Sequence, residues 1–553
     1  MTAVTRCGGT ARRRRRPAHP AARPAPPGAA AARPSRPDRR GPRSATPSPV
    51  RPAPLGHPLG GTHVHEDPQV HEVAVLGAGI GGLGLAARLR REGEDDVVLL
   101  EKAERVGGTW RDNSYPGASC DVQSHLYWYS WDAPRDWARV YAMQPEIQAN
   151  VEEFAQRHGL LEKVRLGTEV VSAVWQDDVG HWLIRTADGA ELRARSFVGA
   201  WGQLNRPTFR GINGRETFRG DSWHSARWRH DVDLRGKRVA CIGNGASAVQ
   251  FVPEVAEVAA HLTVFQKSPN YVVPRLDRFY EDEERRSFLD DPQAYLASRT
   301  GYYEEHESWM GAMKLESNPV LEEFYRVARE HLETQVPDPA LREKLWPDYP
   351  LACKRILIAD TYYPALVRDD VDLVTEQIAR IEPEGVRTVD GTLHEVDVIV
   401  YATGFETLSF LGDLDVRGRG GRSLREAWQD GPEAYLGITV HGFPNLYLLY
   451  GPNTNLGHNS IIAMLECQYE YVLQALRAAD EAGGRAGRAA LDVREEVQRA
   501  YNEWLQEELR GTSFAGGCNS WYKTADGRIT NNWSGSVEDY KAVLTPHRLG
   551  APA

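Results

Sequence analysis

The chain has 553 residues, a formal net charge of -10, 41% hydrophobic and 26% charged residues, the composition of a globular protein with material for more than one core. No apolar run approaches the ~18 residues that span a bilayer, and no apolar signal core follows a charged start, which argues for a cytoplasmic protein and against an integral membrane or secreted one. Six scattered cysteines (Cys7, Cys120, Cys241, Cys353, Cys467, Cys518) form no Cys-x-x-Cys pair and no histidines cluster at ligand spacing, so the expectation is isolated thiols, no metal and no dithiol centre.

Residues 1–66 read as a disordered arm: the first 60 hold 13 Arg, no Lys, one acid (Asp38) and 13 Pro, and cannot bury enough apolar surface to offset chain entropy. The acidic remainder offers Arg12–Arg16 no companion basic face, so nucleic acid is not an expected partner.

The folded part opens with the short β-branched run His71–Leu76, then Gly77-Ala78-Gly79-Ile80-Gly81-Gly82 and a stretch with helical spacing to Arg90. Gly77 permits a tight turn, Gly79 lets backbone approach a pyrophosphate, and Gly82 lets helix pack on strand. Val97–Leu100 is the next strand, ending at Glu101, where a carboxylate accepts from ribose hydroxyls. Directly after comes the glycine pair Gly107-Gly108 with Thr109 and Trp110. That order resembles flavoproteins with two dinucleotide-binding domains, in which such a pair covers FAD.

Downstream, Lys237–Ile242 reads as a strand and Gly243-Asn244-Gly245-Ala246-Ser247-Ala248 repeats the turn, with Ala248 in the third glycine place. The strand Leu262–Phe265 ends not in an acid but in Gln266-Lys267-Ser268. An ammonium and a hydroxyl there bind a 2′-phosphate that a carboxylate would repel, so NADPH is expected, with contacts from Ser247, Gln266, Lys267 and Ser268. From about 276 to 345, Glu, Arg and Leu are dense and glycine sparse, which predicts a helical insertion.

Four stretches narrow the class. Phe218-x-Gly220-x-x-x-His224-x-x-x-Trp228 stands between the glycine turns, followed by Arg229-His230. Gly107-Gly108-Thr109-Trp110 leads through Tyr115-Pro116-Gly117 to Asp121. Asp397–Phe405 and Gly451–His458 come later. Together they resemble type I Baeyer–Villiger monooxygenases over about residue 70 to Trp533, although that family continues after the Trp with Pro and then Asp or Tyr. The resemblance implies an α/β protein of two Rossmann-like domains: an FAD-binding part over 67–215, an NADP-binding part over 216–384, and a return to the FAD-binding part over 385–553. It implies NADPH- and O2-dependent conversion of a ketone to an ester or lactone through a flavin C4a-peroxide. Cys353-Lys354-Arg355 matches the family's catalytic segment, so Arg355 is carried over as the catalytic arginine, Asp121 as its partner and Lys354 as a second 2′-phosphate ligand. Thr109, Trp110 and Tyr127 are assigned to the flavin, and His224 to a conformational role. N- or S-oxygenation, and NADPH oxidation or sensing without an organic substrate, stay open as alternatives.

Overall fold

The computed structural model describes residues 69–544 apart from 210, 485, 486 and 519; the arm over residues 1–66 and Cys7 lie outside the described residues. The opening run forms the strand Val70–Leu76, whose Val73, Ala74 and Val75 are fully buried, as a parallel strand covered on both faces requires. It pairs in parallel with Val97–Leu100 on one side and Glu191–Gly199 on the other. An antiparallel meander of Val170–Gln176, His181–Thr186 and Glu191–Gly199 extends this first sheet, and Asp415–Arg417 pairs at its far edge.

The second sheet is parallel throughout, in the order Val371–Val374, His261–Phe265, Arg238–Ile242, Val398–Tyr401, Asp221–His224. The strand Val398–Tyr401 therefore belongs here. The boundary drawn at 385 moves to about 402, because the run Val398–Tyr401 is fully buried between two parallel partners of the second unit. A second meander, Ile378–Glu382, Gly385–Thr388 and Leu393–Glu395, precedes that strand as the first meander precedes Gly199. The two halves thus repeat one plan, down to Ala200-Trp201-Gly202 and Ala402-Thr403-Gly404, whose alanine N–H groups donate to Leu76 and Ile242 at the ends of the two central strands (2.9 and 2.8 Å).

Two connections join the sheets and run side by side. Thr208 N donates to Gly404 O (3.0 Å), Glu406 N to Arg206 O (2.8 Å) and Thr403 Oγ1 to Thr208 O (2.5 Å), with Pro207 and Phe405 in an antiparallel bridge.

The helical insertion holds Asp282–Asp290, Pro292–Ser308, Pro319–Gln335 and Pro339–Leu345. Three of these helices start at Asp or Asn followed by Pro: the side chains of Asp291, Asn318 and Asp338 accept from backbone N–H groups of the first turn, and proline at the first position has no N–H to leave unsatisfied. The insertion leaves from Val272–Val273 and returns at Leu357–Ile358, which pair in parallel. That pairing brings the segment with Lys354 and Arg355 back to the body of the molecule.

Candidate functional site

Both glycine turns close as their residue types demand. Gly77 has φ 109° and Gly243 φ 108°, a region open to glycine. A Cβ on Gly82 would collide with the carbonyl oxygen of Gly77, and one on Gly243 with that of Ala402. A Cβ on Gly79 would lie 3.6 Å from Gly108 Cα, so the first turn and the second glycine pair face each other. The helices that follow, Ile80–Arg91 and Ala246–Ala256, have Gly79 and Gly245 as N-caps with no side-chain cap. Their first N–H groups are left to a ligand.

Glu101 is 5% exposed; its Oε2 accepts from Ala78 N (3.0 Å), and its Oε1 from Ala103 N (3.0 Å) and Arg111 Nη1 (3.0 Å). The carboxylate braces the turn and keeps one acceptor site for a ribose hydroxyl.

A cavity of about 550 Å³ opens between the units. Of the residues singled out by sequence, Gly77, Gly79, Glu101, Gly108, Thr109, Trp110, Asp121, Tyr127, Ser247 and Arg355 line it. Trp110 Nε1 donates to Tyr127 Oη (3.2 Å), joining two of the aromatic assignments. Asn455, within the 451–458 motif, lines the cavity too, and sequence reasoning missed Trp201, Gln203, Tyr450 and Trp521, which also line it. The repeat of Ala-x-Gly after each return strand was the signal for Trp201, and Tyr450 immediately precedes the motif at 451–458. The size of the cavity, the two facing glycine turns and the uncapped helix start fit the pyrophosphate and ring system of a flavin dinucleotide.

Asp121 and Arg355, far apart in sequence, form an ion pair in this wall. The Arg355 side chain is 40% exposed because it opens into the cavity. The Asp121 carboxylate holds the guanidinium above its ordinary value, so its charge is fixed. Burial pushes the Tyr115 phenol up to about 12 and raises Tyr127 and Tyr450 as well, so these neighbours stay neutral. The Tyr115–Asp121 segment also docks on the helix after the second turn: Tyr115 Oη donates to Gln250 Oε1 (3.0 Å) and Gln250 Nε2 to Ser119 O (3.0 Å).

At the second site Ser268 Oγ accepts from Lys354 Nζ (2.5 Å), and Lys267 is exposed. Burial lowers the Lys354 ammonium, and the Lys267 charge adds to the effect. Two cations and a hydroxyl thus gather beyond the strand end, as a phosphate site needs. Gln266 does not join them. Its Oε1 accepts from Asn244 Nδ2 (2.8 Å) and its Nε2 donates to Lys344 O (2.7 Å), in a side chain 4% exposed, so its amide braces the turn. Ala248 is fully buried and serves helix–strand packing, whereas the position of a Cβ on Gly245 faces open space.

In the segment between the turns, Phe218 packs on the core of the second sheet, a Cβ on Gly220 would collide with Asp397 O, and Trp228 packs against Trp223 and Phe251. His224 is 3% exposed; its Nδ1 accepts from Ala226 N (3.1 Å) and its Nε2 donates to Gly404 O (3.0 Å). Burial lowers its pKa to about 4, so the ring is neutral. After Trp228, where the family has Pro, Arg229 binds Asp221 (2.8 Å) and His230 Nε2 meets Ser114 Oγ (2.8 Å), which fixes the turn by polar contacts.

The cysteines depart from expectation. Cys353 and Cys518 form a disulfide, their Cα atoms 6.2 Å apart, while Cys120, Cys241 and Cys467 are free. Wide separation in sequence hid a pairing that the return of the helical insertion creates. Among the described residues no helix is long and apolar enough to cross a membrane, and no group of His, Cys, Asp and Glu is placed to hold a metal ion.

Two glycine-turn nucleotide units around one cavity, with a charge-fixed arginine in its wall, define a flavin- and nicotinamide-dependent oxidoreductase. Residues 75–142 match the NAD(P)-binding Rossmann-like domain. The chain is 42% identical to a Baeyer–Villiger monooxygenase of Pseudomonas aeruginosa over 85% of this chain and 89% of that one. It is 40% identical to an FAD-binding monooxygenase of Aspergillus niger over 86% and 80%. A steroid monooxygenase bound to NADP superposes with a TM-score of 0.76 at 32% identity, over 86% of this chain and 97% of that one. The chain belongs to the Baeyer–Villiger monooxygenases, and its cofactors are FAD and NADP.

Proposed function

We propose that this monooxygenase inserts one oxygen atom from O2 beside the carbonyl of a ketone, giving an ester or lactone at the expense of NADPH. The observation that carries the reading is the Asp121–Arg355 pair opening into the cavity beside the facing glycine turns. FAD, when bound, supplies electron transfer and oxygen activation. Gly77, Gly79, Gly108, Thr109, Trp110 and Tyr127 hold it, with Glu101 at its ribose, and Lys267, Ser268 and Lys354 hold the 2′-phosphate of NADPH. Arg355 stabilises the negative oxygen that develops as the ketone carbonyl becomes tetrahedral, and keeps its own protons because Asp121 raises its pKa. Asp121 orients the guanidinium, and the neutral phenols around it add no second negative charge to the wall. A cytoplasmic setting, which supplies NADPH, is part of this reading.

The test is Arg355→Ala, with flavin reduction followed anaerobically and ester formation followed in air with a panel of ketones. NADPH reduces the flavin at a near-normal rate while ester formation falls by about 10²–10³-fold. Parental ester yield from the variant overturns the assignment, and parental turnover of amines or sulfides in place of ketones transfers it to N- or S-oxygenation.

A further inference from the structure

The segment that presents Lys354 and Arg355 begins at Cys353, and the bond from Cys353 crosses to Cys518, 165 positions later. Cys518 lies in the stretch 511–522 that follows the helix Glu495–Arg510. This stretch ends in Trp521, which lines the cavity, and Tyr522, which is 1% exposed. Toward its two ends the stretch is anchored by Phe514 and Tyr522, which are buried in the main core and pack on each other, and by the bridge of Thr512 to Lys314. The remaining ties besides the bond are polar: Ser513 Oγ to Lys314 O (3.1 Å), the Lys523 ammonium to Gly516 O, and Thr407 Oγ1 and Asn531 Nδ2 to Trp521 O (3.2 and 2.8 Å). Gly516 lies against the bond itself, since a Cβ there would come within 3.1 Å of Cys353 Sγ. The disulfide is thus the covalent fastening between the Arg355 wall and the Trp521 wall of one cavity. In a compartment that reduces thiols, a protein disulfide is characteristically transient and redox-sensing.

We propose that Cys353–Cys518 is a reversible redox switch of the oxygenation site. As a disulfide it clamps the loop between the core anchors Phe514 and Tyr522, and with it Trp521, against Arg355; as two thiols it releases that wall, and NADPH oxidation runs on without oxygen insertion. The proposal rests on the role given to Arg355 above. Reduction is by a dithiol. Its thiolate attacks the sulfur of Cys518, 8% exposed where Cys353 is 0%, the S–S bond breaks, and Cys353 leaves as a thiolate and takes a proton. The second thiol of the reductant displaces Cys518 from the mixed disulfide, so two electrons and two protons pass to the protein and the reductant becomes a disulfide. Re-formation is by hydrogen peroxide: one thiolate takes an oxygen to become a sulfenic acid, and the other thiol displaces water from it, giving two waters in all.

The FAD-loaded full chain is compared as isolated and after excess dithiothreitol, which is removed before assay. Alkylation read by mass spectrometry gains two groups, on Cys353 and Cys518. Trypsin then cuts after Arg510 or Lys523 on the order of 10-fold faster. Ester formed per NADPH falls by between about 10- and 100-fold, the scale on which a displaced wall acts on catalysis, and peroxide treatment restores both. Cys518→Ser behaves as the reduced enzyme and ignores dithiothreitol. Absence of new alkylation, or new alkylation with trypsin cutting and coupling unchanged, overturns the switch. Failure to oxidise any ketone counts against the proposed reaction instead, and the alkylation and trypsin readings then decide the clamp without it.

Discussion

At position 82 the missing side chain is the functional group: any Cβ there strikes the carbonyl of Gly77 and opens the first turn. Gly82→Ala is expected to lose bound FAD and about 1–3 kcal/mol of stability by overpacking, read from the ratio of flavin to protein absorbance and from a denaturant midpoint. At the second site Lys267→Ala removes one of two gathered cations. The KM for NADPH is expected to rise about 10- to 100-fold, as for loss of a charged hydrogen bond, while the KM for NADH stays put in steady-state kinetics. Arg355 and Asp121 stand in separate motifs and are paired by what the family resemblance implies, not by residue type or spacing; the structure brings them into an ion pair. The bracing of Gln266 was not legible, because its place at the strand end says nothing of Asn244 and Lys344, which satisfy both ends of its amide. The Cys353–Cys518 bond escaped for a similar reason, since only the folded insertion brings those segments together.

Among elements, the strand–turn–helix units were readable because parallel strands buried on both faces are short apolar runs and the turns need glycine. The boundary at 385 failed because a second meander and a second-sheet strand intervene before the chain crosses back. Sequence shows the apolar run of Val398–Tyr401 without showing which sheet receives it. The crossing itself turns on Gly404, with φ 81° and no atom within 4 Å of a Cβ placed there. Gly404→Ala therefore meets backbone strain and no collision. It is expected to lower stability by about 1 kcal/mol and leave FAD content unchanged, in contrast with Gly82→Ala, and the same two measurements separate them.

For the whole molecule, three of the interior imidazoles contribute a readable part of the response to acid. Burial holds His125, His224 and His306 each at about 4, against an ordinary value of 6.5. Between those values the unfolded chain binds more protons than the folded one, so stability rises with pH; the contribution is complete above 6.5 and is lost as pH falls toward 4. At pH 5 each ring withdraws about 2 kcal/mol, a loss to be read as a lower denaturant midpoint at pH 5 than at pH 7 and softened in His224→Gln. The two connections between the sheets carry a mechanical consequence. Residues 206–208 and 403–406 are hydrogen-bonded side by side, and the neutral His224 ring donates to Gly404 in the same pair. A single linker swivels in any direction, whereas a two-stranded ribbon resists splaying and twisting and bends readily only across its own plane. At these two connections, rotation of one sheet against the other is therefore easiest as a leaf-hinge motion, which would widen or narrow the cavity along a single direction.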